Sequence, residues 1–125
     1  MPLVLAIAGF GALGAVARYG IDAFIEHHTE TLFPLSTFVI NLTGSFLISL
    51  SVGILVDRMH VPTWLSVGVV VGFLGAYTTF STFAYETQGL IAEGRHGVAL
   101  ANAFASVTCG VGAVYLGLAV ARIGR

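Results

Sequence analysis

The feature that most constrains this chain is a stretch from residue 59 to residue 85 without a single Asp, Glu, Lys or Arg. About 20 apolar residues suffice for a helix to cross a bilayer, so this stretch is long enough to span a membrane. Its centre, residues 72–83, reads GFLGAYTTFSTF. Glycine and hydroxyl residues destabilise helix interiors. The pattern therefore predicts a helix broken near mid-membrane, between Gly75 and Thr78. Such backbone persists there only where it is buried in protein or lines a polar cavity.

The composition places the whole chain in the membrane. Of its 125 residues, 57% are hydrophobic and 9% are charged, whereas soluble domains carry about 25% charged residues. We therefore expect an all-α, multi-pass protein of the plasma (inner) membrane, surrounded by the lipid bilayer. The chain has no lysine and no basic cluster, which argues against nucleic acid as a partner. No nucleophile–base pair or phosphate loop is visible in the sequence, so an enzyme is not predicted.

Four segments are long and apolar enough to be transmembrane helices: residues 3–24, 35–56, 64–90 and 97–123. The connections between them are short and polar, so consecutive helices should be antiparallel and form a single four-helix transmembrane domain over residues 1–125. Four short helices rarely enclose a lined pathway by themselves. We therefore expect a homo-oligomer, most simply a homodimer.

The arginines leave the membrane orientation open. With four spans, one side holds Arg58, Arg122 and Arg125, and the other holds Arg95 and, near its edge, Arg18. Orientation follows the excess of positive charge on the cytoplasmic side, and here the excess is one arginine. Two interpretations remain: every copy places both termini in the cytoplasm, or the chain inserts in both orientations.

Polar residues form a stripe on the second predicted helix. Thr37, Asn41, Ser45 and Ser49 follow one another at steps of four, which puts them on one helix face. A buried amide needs a partner, so Asn41 either bonds a neighbouring helix or faces a hydrated path. On the last helix, the set of Asn102, Ser106 and Gly110 repeats the same step.

Two phenylalanines stand three residues apart after the predicted interruption. Phe80 and Phe83 project from neighbouring positions on one face if the helix resumes there. Ordinary packing is one interpretation of the pair. The other rests on the ring quadrupole, whose positive edge attracts an anion without a full charge. Ser81 and Thr82 between them add hydroxyl donors.

The interruption and the first helix carry the remaining candidates. Broken backbone between Gly75 and Thr78 would expose carbonyl oxygens, which suit a hard cation such as Na⁺. A simple kink without a ligand is the alternative. Arg18 and Asp22 lie four residues apart near the end of the first helix and could pair.

Three motifs in this order resemble the Fluc (CrcB) family of fluoride channels. They are GALGAVARY at residues 11–19, STFVINLTG at residues 36–44 and GFLGAYTTFSTF at residues 72–83. The resemblance covers the four-helix plan, although the last helix matches in character only. Ala76 stands where many members have a second glycine, and Asn102 where a polar-track tyrosine is found.

The resemblance implies a dual-topology protein that pairs as an antiparallel homodimer with two separate passive fluoride pathways. It implies that the fluoride-binding pore residues are Asn41, Phe80, Phe83, Ser81, Thr82 and Ser106. The carbonyls of Gly75 and Thr78 from both subunits would hold a structural Na⁺ at the dimer interface. Arg18 would lie near the aqueous entrance and Thr37 near a vestibule.

The leading hypothesis is therefore a fluoride-selective channel that exports cytoplasmic fluoride and lowers its toxicity. One alternative is a small proton-coupled multidrug exporter, which would need a carboxylate deep in the first helix, whereas Asp22 lies near the end of that helix. Another is a non-transporting membrane assembly subunit, in which the Phe and Asn residues only pack. A selective loss of ion flux on replacing Phe80, with assembly intact, would exclude this last possibility.

Overall fold

The computed structural model describes residues 2–124, and this part of the chain is helical without any strand. Its helices are α1 (Pro2–His28), α2 (Leu35–Arg58), α3 (residues 63–77), α4 (Phe80–Ala92) and α5 (His96–Ala121). Helices α3 and α4 together form one apolar segment, Thr63–Ala92, so four segments are long and apolar enough to cross a membrane. The all-α, four-span prediction is confirmed, and the chain is a multi-pass membrane protein.

Helix ends follow local backbone chemistry. Pro34 and Pro62 directly precede α2 and α3, where the missing proline N–H costs no helical hydrogen bond. Helix α4 ends at a tight turn in which Gly94 has a φ of 77° and the Arg95 N–H donates to the Leu90 carbonyl at 2.8 Å. A glycine fits this left-handed position without a steric penalty. The turn returns the chain at once into α5.

Two helices contain wide turns. Val52–Arg58 at the end of α2 and Gly68–Leu74 inside α3 are π-helical. The Gly75 N–H, for example, reaches back five residues to the Val70 carbonyl. Each π-helical turn holds more residues than an α-helical one and so changes which side chains face the neighbouring helix.

Glycines bring the helix backbones into direct contact. A methyl group at Gly14 of α1 would collide with the Phe73 carbonyl of α3, and one at Gly72 would lie 2.9 Å from the Ile7 carbonyl. A methyl group at Gly117 of α5 would lie 2.5 Å from the Phe46 carbonyl of α2. Small residues permit such close packing in lipid, where there is no hydrophobic driving force between helices.

The buried core lies beside the end of α3. Ile40, Leu74 and Tyr77 are its central residues, and they pack against Ala17, Ile21 and Phe73. Many other large apolar side chains are exposed along the transmembrane segments, as expected for a chain surrounded by lipid. The core thus fixes the position of the residues that follow Tyr77.

Candidate functional site

The backbone leaves the helical conformation at the α3–α4 junction, which consists of Thr78 and Thr79. Their φ and ψ angles are −83° and 156° for Thr78, and −148° and 114° for Thr79. Asn41 of α2 pairs with this extended backbone through its side-chain amide. Its Nδ2 donates to the Thr79 carbonyl at 2.9 Å, and its Oδ1 accepts from the Thr79 N–H at 2.8 Å. One amide thus replaces two hydrogen bonds that a helix would supply.

Thr79 also begins α4. Its Oγ1 accepts the Thr82 N–H at 3.2 Å and lies 3.0 Å from the Thr82 hydroxyl. Threonine with extended backbone is a favoured N-cap because its hydroxyl satisfies one of the first amides of the helix. Thr79 therefore lies where the backbone hydrogen bonds of α3 end and caps the start of those of α4.

Three carbonyls near the junction lose the partners that a continuous helix would provide. The Thr79 N–H would pair with the Gly75 carbonyl, but it donates to Asn41. The Thr82 N–H would pair with the Thr78 carbonyl, but it donates to the Thr79 hydroxyl. The Ala76 carbonyl accepts instead from Arg18 Nε of α1 at 3.2 Å.

Helix α2 holds the junction at two further points. The Thr43 hydroxyl lies 2.8 Å from the buried Tyr77 hydroxyl. A methyl group at Gly44 would overlap the Thr78 side chain, so only glycine lets Thr78 approach α2 this closely. Neighbouring residues of α2 therefore fix Tyr77, the last residue of α3, and both junction residues, Thr78 and Thr79.

An open groove of about 280 Å³ runs beside the junction. Four residues predicted from the sequence, Asn41, Gly75, Thr78 and Phe80, line it together with Gly44, Ser45, Ile48, Leu74 and Thr79. The Phe80 ring is 79% exposed in the single chain, and its centroid lies 5.8 Å from that of Phe83. The groove is thus lined by the amide of Asn41, by Gly75 and Thr78, whose carbonyls lack their helical partners, and by the ring of Phe80.

The remaining hydroxyl residues lie outside the groove lining. Ser81 is exposed on the first turn of α4, and Thr82 adjoins the junction through Thr79. Ser106 on α5 donates to Asn102 Oδ1 at 3.3 Å. Asn102, which is 1% exposed, donates in turn to Thr87 of α4 at 2.9 Å and so links the two helices.

The polar stripe of α2 divides into two halves. Thr37 and Asn41 reach across to other helices, since the Thr37 hydroxyl donates to Glu86 Oε1 at 2.5 Å. Ser45 and Ser49 instead donate to carbonyls of their own helix, at 2.7 Å and 3.0 Å. Hydroxyl side chains in helices commonly satisfy themselves in this way.

A second, larger cleft of about 800 Å³ opens at one end of the bundle. Glu86 lies in its wall, and Ser36 there donates to Asp22 of α1. The expected pair of Arg18 and Asp22 does not form an ion pair; within residues 2–124 the ion pair is that of Arg95 with Glu93, at 3.3 Å. Three further glutamates line the cleft: Glu26, Glu30 and Glu93.

Sequence reasoning missed the central role of Thr79. It treated Gly75 to Thr78 as the interruption, whereas the helical conformation continues to Tyr77 and the extended residues are Thr78 and Thr79. Threonine is one of the residues preferred directly before the first residue of a helix, and this preference was the available signal for Thr79. The contacts of Arg18 with Ala76 and of Thr43 with Tyr77 carried no sequence signal, because each joins residues on different helices.

The helical bundle, its four apolar spans and the open groove at the α3–α4 junction define a multi-pass membrane protein with a candidate site beside that junction. The family model described as CrcB-like protein, Camphor Resistance (CrcB), matches residues 5–118. The chain therefore belongs to the CrcB family.

Relatives in this family are similar over most of their length. A protein of Solibacter usitatus named fluoride-specific ion channel FluC is 41% identical over 118 residues, which cover 94% of this chain and 97% of the relative. One from Acidobacterium capsulatum with the same name is 45% identical over 111 residues, which cover 88% of each chain. The resemblance inferred from the sequence motifs is confirmed. Because these relatives are named as ion channels, the chain belongs to a family of channels rather than of enzymes.

Proposed function

We propose that this protein is a fluoride-selective passive channel through which cytoplasmic fluoride leaves the cell, which lowers its toxicity. The names of its relatives support fluoride as the ion. The observation that carries the proposal is the reciprocal pair of Asn41 with Thr79, which opens the backbone beside a groove that Phe80 also lines. We place this junction near the middle of the membrane.

The chemistry of the groove suits a small, strongly hydrated anion. A pathway must replace water with hydrogen-bond donors and still release the ion. Asn41 has two N–H groups and gives one to Thr79, so the second is left for the ion. The ring edges of Phe80 and Phe83 add partial positive charge without a full charge that would trap fluoride. Hydroxyls continue the path, from Ser81, Thr82 and Ser106.

The channel is an antiparallel, dual-topology homodimer with two pores. The exposure of Phe80 supports this, because a ring that is 79% exposed adds little to the packing of its own chain. A second copy would enclose the open groove and complete its wall. Insertion in both orientations agrees with an arginine excess of one. Arg18 reaches from the aqueous entrance side of the pathway to the Ala76 carbonyl, and Thr37 lies near a vestibule.

A structural Na⁺ at the dimer interface fits the residues present. The carbonyls of Gly75 and Thr78 have lost their helical partners to Asn41 and Thr79, and Gly75 is exposed at the surface of the single chain. Neutral oxygens are the ligands that hard cations prefer. When bound, the ion would supply a positive charge that holds carbonyls of both copies together.

Fluoride efflux from liposomes tests the proposal. Purified protein is reconstituted into liposomes loaded with fluoride or chloride, and efflux is followed with ion-selective electrodes without any proton gradient. We expect fast release of fluoride and retention of chloride. Efflux that appears only with a proton gradient would indicate a coupled exporter, and no efflux from a well-folded dimer would indicate an assembly subunit.

A further inference from the structure

We propose that Arg18 sets how tightly the α3–α4 junction binds a cation, because its positive charge opposes a second positive charge at the neighbouring carbonyls. Arg18 is half-buried, and its Nε donates to the Ala76 carbonyl at 3.2 Å. Ala76 lies between Gly75 and Thr78, whose carbonyls have also lost their helical partners. This inference rests on the cation site of the proposed function.

In the part of the chain that the structure describes, the charge of Arg18 has no carboxylate within 4.0 Å to balance it. Within residues 2–124 the ion pair closer than 4.0 Å joins Arg95 to Glu93. Asp22, one helical turn from Arg18, accepts instead from Ser36. The guanidinium carries a full positive charge. Among residues 2–124, its field therefore acts on the junction without a carboxylate closer than 4.0 Å to cancel it.

The guanidinium and a bound cation are attracted to the same group of atoms. Helix α3 ends at Tyr77, and the carbonyls at the C-terminal end of a helix carry its partial negative charge. Arg18 donates a hydrogen bond to one of these carbonyls, that of Ala76. A metal ion must therefore bind the other carbonyls, close to the positive charge of the guanidinium. Repulsion between charges a few ångströms apart in a protein changes an affinity by about tenfold or more.

Two substitutions separate the charge of Arg18 from its hydrogen bond. Arg18→Gln keeps an N–H donor for the Ala76 carbonyl and removes the charge, and Arg18→Lys keeps both a donor and the charge. The readout is the thermal unfolding midpoint of the detergent-purified protein over a range of Na⁺ concentrations, with ionic strength held constant by a large organic cation. This measures cation binding without any ion flux.

We expect Arg18→Gln to lower the Na⁺ concentration for half-maximal stabilisation by about tenfold or more, while Arg18→Lys stays close to the unmodified protein. Arg58→Gln is the matched control, because Arg58 also donates to a backbone carbonyl at a helix end, that of Ile123 at 3.2 Å. It should leave the Na⁺ dependence unchanged. Arg18→Met serves as a second neutral variant if Arg18→Gln is not recovered folded.

Other outcomes overturn the inference. If the neutral Arg18 variants bind Na⁺ as the unmodified protein does, or more loosely, Arg18 only supports the backbone. If Na⁺ stabilises neither the unmodified protein nor the neutral variants, the cation site itself is absent. Fluoride efflux from the same preparations distinguishes the two proposals. Fast efflux without stabilisation by Na⁺ would contradict the cation site and support the channel function. If fluoride efflux is absent but the neutral variants bind Na⁺ more tightly, the cation site is supported and the channel function is overturned.

Discussion

The side-chain amide of Asn41 and the backbone of Thr79 exchange two hydrogen bonds, at 2.9 Å and 2.8 Å. An asparagine amide matches a peptide group in having one carbonyl and an N–H side by side. Asn41 therefore pairs with the extended backbone much as a neighbouring strand would. It stabilises the conformation of the junction and stays half-exposed to the groove.

Replacing Asn41 by Asp should damage both stability and transport. The carboxylate still accepts from the Thr79 N–H, but it cannot donate to the Thr79 carbonyl, and it brings a negative charge to an anion path. The unpaired carbonyl should cost about 1–3 kcal/mol of unfolding free energy, and fluoride efflux should fall strongly. Ser45→Ala is the stability control, because the Ser45 hydroxyl donates to its own helix. Unchanged efflux in Asn41→Asp would show that the amide is structural only.

Replacing Phe80 by Ile should reduce fluoride efflux with little effect on folding. The change removes the ring edge that would face the anion, and a loss of about 1.4 kcal/mol in that contact corresponds to about tenfold in rate. The ring is 79% exposed in the single chain, so the fold of each chain should persist. Phe104→Ile is the control, since Phe104 is 70% exposed on α5, away from the groove. Efflux is measured in liposomes and assembly by size-exclusion chromatography. Equal efflux in both variants would contradict an ion-contacting role.

Replacing Gly14 by Ala should destabilise the contact of α1 with α3. The added methyl group would collide with the backbone carbonyl of Phe73, which cannot move without shifting the helix. We expect a loss of about 1–3 kcal/mol, as for overpacked cores, seen as a lower thermal midpoint in detergent. Gly9→Ala on the same helix has open space around it and should be neutral or slightly stabilising. A neutral Gly14→Ala would mean that the two helices pack less closely.

Asn102 and Thr87 should show energetic coupling. Asn102 is 1% exposed and donates to the Thr87 hydroxyl at 2.9 Å. Thr87→Val and Asn102→Leu each leave a polar group of the other without its partner, whereas the double variant removes both. Unfolding by SDS titration should give a coupling free energy of about 0.6 kcal/mol and at most about 1.7 kcal/mol, the average and the largest value for hydrogen bonds between membrane helices. Strictly additive losses would show that this bond contributes nothing to stability.

How much the sequence predicts differs from residue to residue. Composition and apolar segment length predicted the all-α, four-span membrane fold, because spanning a bilayer requires long uncharged stretches. The motif around Phe80 predicted the family, which the comparisons confirm. The grouping of Asn41 and Gly75 with Thr78 and Phe80 in one groove needed the structure, because it depends on how α2 packs against α3.

Local sequence was enough to predict which segments are long and apolar enough to cross a membrane, and where the backbone carries helix-destabilising residues. These properties depend on local hydropathy and on the intrinsic preferences of Gly, Ser and Thr. Helix packing is what pairs Thr79 with Asn41, brings Arg18 to the Ala76 carbonyl and joins Thr37 to Glu86. Each of these bonds joins two helices. Their partners follow from helix rotation and close glycine contacts, which hydropathy along the chain does not specify.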